Sequence, residues 1–134
     1  MKTNWFEKSK INIDSADLLY ANKKYCTAVH SSYYSIILLM FHVLNISIGK
    51  SESDIELERK DKSTHNWLKS NILKKLYDIS NKDTAREFND KFGAIKGLRI
   101  IADYNNVEIL EPSANTSIIT AKDINDILYR EFRL

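Results

Sequence analysis

The stretch from Tyr25 to Gly49 reads YCTAVHSSYYSIILLMFHVLNISIG, 25 residues without an Asp, Glu, Lys or Arg. A segment of that length is long enough to span a bilayer. Its composition argues otherwise. His30, Ser31, Ser32, Ser35, His42, Asn45 and Ser47 interrupt it, and its unbroken apolar run, Ile36–Phe41, is only six residues. The stretch reads as the central helix of a bundle, apolar on most sides because neighbouring helices cover most sides.

The flanks supply those neighbours. Before it, about Asn4 to Asn22, residues Ile13, Ala16, Leu19 and Tyr20 form one stripe, with Trp5 and Phe6 two turns earlier. Asn22-Lys23-Lys24 is a polar break. After it, Ser47 to Ser63 is dense in Glu, Asp and Lys and reads as a long, mobile polar connection. Ser63 or Thr64 can cap a third helix carrying Leu68, Ile72, Leu76 and Ile79. Asp83 or Thr84 can start a fourth, with a seam of Ala85, Phe88, Phe92, Ile95 and Ala102, ending near Asn105-Asn106. Residues 107–119 hold the single proline, Pro112, and read as a loop. Thr120-Ala121-Lys122-Asp123 resembles a capping box that opens a last helix buried through Ile124, Ile127 and Leu128. The expected fold class is all-α, an antiparallel four- to five-helix bundle, with residues 1–134 as one domain.

Composition agrees. The 134 residues carry a net charge of +2, with 43% hydrophobic and 28% charged residues, ordinary values for a globular domain. Gly 3 and Pro 1 are far too few for the turns of a β-sandwich or barrel. Glycines at 49, 93 and 97 cannot build a phosphate-cradling loop, which excludes Rossmann and P-loop chemistry. The single cysteine, Cys26, cannot form an internal disulfide and suits a reducing cytoplasm. Met1 to Lys10 lacks the apolar core of a signal peptide. Neither a membrane partner nor a cofactor is expected.

Few residues carry the pattern of a known chemistry. His30, His42 and His65 form no His-Glu-x-x-His, and no Cys-x-x-Cys is present, so no metal site is expected. His30 and His42 lie about 120° apart on an ideal helix and read as packed imidazoles. The acids from Glu52 to Asp61 read as a solvated face rather than a paired-carboxylate site. The nucleophile-elbow motif of serine hydrolases is missing, and Cys26 has no evident base partner.

Three further segments stand in a telling order. Tyr25 to Ser35 pairs Ala28 with Tyr33-Tyr34 ahead of an aliphatic run. Ser63-Thr64-His65-Asn66-Trp67-Leu68 opens the third helix. Leu98-Arg99-Ile100-Ile101-Ala102-Asp103-Tyr104 closes the fourth. Together, over about Ala16 to Tyr104, they resemble the HEPN family of small helical bundles. The closest likeness is to its prokaryotic single-domain branch, with a Tyr-Tyr second helix, a Thr-His near the third and an Arg-x-x-Ala-Asp-Tyr ending. The resemblance implies a homodimer in a toxin–antitoxin or defence system, bound to RNA or a nucleotide, beside a small nucleotidyltransferase-type protein. In the nuclease members an Arg, four to six residues, and a His from each copy meet across the dimer and cleave RNA without a metal.

Carried over, the arginine is Arg99, and Tyr104 stands where the histidine would be. A phenol with an ordinary pKa near 10 shuttles protons poorly at neutral pH, where an imidazole does so readily. The catalytic candidates are therefore Arg99, Tyr104 and Asp103, and the RNA- or nucleotide-binding candidates are Arg99 and His65. Arg59 and His65 also meet the spacing, but in the connection before the third helix, where a short motif arises by chance. Each candidate has a plainer reading. Arg99 can be a surface i,i+4 partner of Asp103, and His65 a first-turn residue of its helix. Tyr34 is expected in the core with Leu38 and Phe41, and Tyr33 nearer a cleft. The alternative function is a non-catalytic dimeric interaction module.

Overall fold

The computed structural model describes residues 2–60 and 63–134. It is all-α, and no strand occurs among the described residues. The helices are α1 (Asn4–Ala21), α2 (Tyr25–His42), α3 (Glu52–Arg59), α4 (Thr64–Ile79), α5 (Lys82–Tyr104) and α6 (Glu111–Glu131), with a π-helical turn, Val43–Ser47, extending α2.

The uncharged helix lies at the centre. α2 packs against α1, α4, α5 and α6. It buries Val29, Tyr33, Ile36, Ile37, Leu39, Met40 and Phe41 with Phe6 of α1, Leu68 and Ile72 of α4, Phe88 and Phe92 of α5, and Ile124 and Leu128 of α6. By length and hydropathy Tyr25–Ser47 matches a membrane span, but 78% of its apolar window is buried against protein. Two of its serines, Ser32 and Ser35, are fully buried with hydrogen-bond partners. Ser32 Oγ donates to Val29 O at 2.9 Å, Ser35 Oγ to Ser32 O at 2.7 Å, and Ser9 Oγ of α1 to Ser35 O at 2.6 Å. Ser32 also shares a 2.6 Å hydrogen bond with Ser117 of α6.

Contacts set the directions of the helices. Thr3 meets His42 while Tyr20 meets Tyr25, so α1 and α2 are antiparallel. Cys26 meets Ala102 while Tyr34 meets Arg99, so α2 and α5 are antiparallel too. The start of α4 meets α5 through Asn66 and Lys96. This brings the first half of α2, the start of α4 and the end of α5 to one place.

Four expectations change. The polar connection is largely structured: Ser51 and Asp54 form a reciprocal capping box for α3, whose Ile55 is buried. The last acid of that run, Asp61, lies outside the described residues. Among the described residues the α-helix count is six rather than four or five. Pro112 does not mark a loop. It sits in the first turn of α6, where no backbone N–H is needed. Thr120 is therefore inside α6, nine residues beyond its first residue, and caps nothing.

Candidate functional site

Arg99 lies one turn from the end of α5, on a stripe with Lys96 and Asp103 at i−3 and i+4. It is not a surface residue: only 9% of it is exposed. Its Nη2 donates to the Tyr34 hydroxyl at 2.8 Å. Its guanidinium carbon lies 5.2, 5.4 and 5.6 Å from the ring centres of Tyr33, Tyr34 and Tyr104. Aromatic faces offset part of the cost of burying the cation. Asp103 Oδ2 approaches Arg99 Nε to 3.1 Å, but the N–H is not directed at it, and Nε has no hydrogen-bond partner.

The Tyr-Tyr pair takes the reverse of the expected positions. Tyr33 is fully buried, and its hydroxyl pairs with His65 Nδ1 at 2.9 Å. Tyr34 is half-buried and its hydroxyl accepts from Arg99. The rings stand edge to face, 5.6 Å apart. The cause is the course of α5 across α2. Tyr33 points to Phe92 in the core, and Tyr34 one step round the helix meets the polar stripe. Burial pushes the Tyr33 phenol well above its ordinary pKa, against the pull of Arg99.

His65, in the first turn of α4, is brought against both tyrosines. Burial, then Arg99 and Lys96, push its pKa down to about 4. It is a neutral imidazole at pH 7. Lys96 donates to Asn66 Oδ1 at 2.7 Å, and burial, Lys69 and Arg99 lower its pKa. Tyr104 is 73% exposed and meets the cluster through its ring.

The residue that sequence reasoning missed is His30. It is not packed away: 46% of its side chain is exposed. Its Nδ1 lies 2.9 Å from both oxygens of Asp103, and its ring lies over Tyr34 at 4.6 Å between centres. His42, by contrast, is buried as expected, with Nδ1 hydrogen-bonded to Thr3. The sequence signal for His30 is its i,i+4 spacing from Tyr34, facing a polar stripe of Lys96, Arg99 and Asp103 on α5.

Arg99, Asp103, Tyr104 and His65, chosen from two separate segments, thus belong to one cluster, with His30, Tyr33 and Tyr34 of α2 between them. Arg59 does not join it; its guanidinium lies over Phe41 at 5.4 Å. No group of residues able to hold a metal ion is found among the described residues. No protein-family model, no curated protein and no solved structure matches the chain.

Proposed function

We propose that the chain is an HEPN-like domain that binds RNA through its phosphates at the edge formed by α4 and α5. The observation that carries this is electrostatic. Lys69, Lys96 and Arg99 are close enough for Lys69 and Arg99 each to disfavour the charge on Lys96. Asp103 is the carboxylate paired within the cluster, and neither Lys69 nor Lys96 has a salt-bridge partner among the described residues. A phosphate at this edge would relieve the repulsion. In this reading α1, α2, α4, α5 and α6 are the antiparallel bundle of the family. The protein works in the cytoplasm as a homodimer of a toxin–antitoxin or defence system, with a small nucleotidyltransferase as partner.

The test is fluorescence anisotropy of a short labelled single-stranded RNA in EDTA across a salt series. The Lys69→Ala/Lys96→Ala double variant should bind more weakly. Each lost phosphate contact should lower the slope of log K against log salt by about 0.7. Wild type that does not bind at low salt, or a double variant that binds as wild type does, refutes the reading.

One observation favours the interaction-module alternative. Ile100, Ile101, Tyr104, Val107 and Leu110 are between 36% and 73% exposed along the same end of α5 and the segment after it. An apolar run of this kind suits a partner surface.

A further inference from the structure

We infer that the cavity between the start of α1, the end of α2 and the segment after α6 binds a small phenol, a single aromatic ring whose hydroxyl pairs with His42. This site lies at the opposite end of α2 from the Arg99 cluster and owes nothing to the RNA-binding reading. The cavity holds about 200 Å³, and Phe6, His42, Ile46, Ser47, Phe132 and Leu134 form its walls.

Two local features of the chain make it. The π-helical turn after His42 closes with Ile48 N donating to Val43 O at 3.0 Å, which carries Ile46 and Ser47 on a wider turn than an α-helix would. After α6, Arg133 takes a left-handed conformation at φ +53, and Leu134 N donates to Tyr129 O at 3.0 Å. That closure folds the chain back, so that Phe132 and Leu134 pack against the core.

His42 supplies the polarity. It is only 2% exposed. Thr3, which engages its Nδ1 at 3.0 Å, is not part of the cavity wall, so Nδ1 faces away and Nε2 is the ring nitrogen turned to the cavity. Nε2 has no hydrogen-bond partner among the described residues. A buried polar atom of this kind calls for one.

Size, polarity and charge then select the ligand. An apolar cavity of roughly 150 Å³ takes up a benzene ring, so this one has room for a single ring with one small substituent. Burial holds the His42 pKa below its ordinary value and keeps the imidazole neutral at pH 7. A charged group placed against it would lose its hydration without a counter-charge at that depth. Lys2 and Arg133, exposed at the mouth, repel an ammonium in particular. A hydroxyl fits: it both donates and accepts, so it pairs with Nε2 in either tautomer of His42.

The experiment titrates the full chain with phenol, toluene and benzoate and follows amide proton–nitrogen correlation spectra and the His42 ring-nitrogen signal. Phenol should give saturable shifts at Phe6, His42, Ile46 and Phe132 and should move the His42 ring nitrogen. His42→Leu keeps an apolar site but leaves the hydroxyl unpaired, so the ratio of phenol to toluene affinity should fall by about tenfold. Ile46→Phe fills the space and should abolish binding of both, with circular dichroism as in wild type; it decides the matter should His42→Leu not fold. Phenol shifts that scatter over the surface or do not saturate overturn the inference. So does an unchanged ratio in His42→Leu, or phenol bound by Ile46→Phe as by wild type. Benzoate bound more tightly than phenol overturns the choice of a neutral hydroxyl.

Discussion

Tyr33 and His65 show how much a single residue's environment differs from its local sequence. Tyr33 is the largest fully buried side chain of α2, and its hydroxyl serves His65. Tyr33→Ala should therefore cost about 3–5 kcal/mol, as large aromatic truncations do. Tyr33→Phe removes only the hydrogen bond and should cost about 1 kcal/mol. Urea unfolding of both variants checks the pair; equal losses would mean the hydroxyl carries the whole effect. His65 makes a separate prediction about pH. Its folded pKa, about 4, lies below the ordinary 6.5 because burial and the Arg99 and Lys96 charges disfavour the cation. Between those values the unfolded chain binds more protons than the folded one. Stability is then complete above pH 6.5 and falls as pH drops toward 4, by at most about 1.4 kcal/mol per pH unit. His42, also lowered by burial, acts in the same direction. His65→Gln should flatten the pH dependence of the urea midpoint in part, and an unchanged slope would show that His65 titrates normally.

At the scale of elements, the ends of helices decide. α1 stops in a left-handed residue, Lys23 at φ +61, with Lys24 N donating to Leu19 O and Lys23 N to Tyr20 O. That double closure favours glycine at the left-handed position. Lys23→Gly should raise stability by up to about 1 kcal/mol, since an ordinary side chain there is strained. α5 starts one cap earlier than the local pattern implies: Asn81 Oδ1 accepts from Thr84 N at 2.8 Å. Asn81→Ala should cost about 1 kcal/mol. Thr120, placed inside α6 and not at its start, is the contrast. Thr120→Ala should be neutral or stabilising by roughly 0.5 kcal/mol, because alanine is the better helix former. Thermal melts check all three variants, and a loss of about 1 kcal/mol in Thr120→Ala would restore the reading of Thr120 as a cap.

The whole molecule is organised by one uncharged helix whose Ser32 and Ser35 hydroxyls are satisfied inside the bundle. Asn125 of α6 donates to Ser35 Oγ at 3.2 Å, which joins α6 to the serine ladder of α2. This polar seam runs along the same buried side of α2 as Ile36 and Leu39, whereas His30 and Tyr34 of the candidate site are less buried. Assembly belongs to this scale. A homodimer through the exposed α5 end should run in light scattering at twice the 15.6 kDa of the chain. Ile101→Asp should then shift it toward the monomer, as a charge in a desolvated interface would. A wild-type monomer at tens of micromolar would count against the dimer.

By itself, the sequence determined the helical class and most of the core, though not Ile79, which is exposed. Low glycine and proline content, 3.6-residue seams and the uncharged centre all act through local geometry and solvent exclusion, which depend on neighbours a few residues apart. The C-terminal end of α5 and the seam residues Leu68, Phe88, Phe92 and Ile124 were readable for that reason. The capping box at Ser51 was equally local, but the density of charge around it concealed a helix of only eight residues. Pro112 was misread because proline breaks a helix interior yet fits a first turn, and the pattern before it did not show which applied. Tertiary structure alone decided the site. Which of Tyr33 and Tyr34 enters the core depends on where α5 crosses α2, and the pairing of His30 with Asp103 spans 73 positions. Contacts at that distance arise from the packing of whole helices, and no local periodicity encodes them.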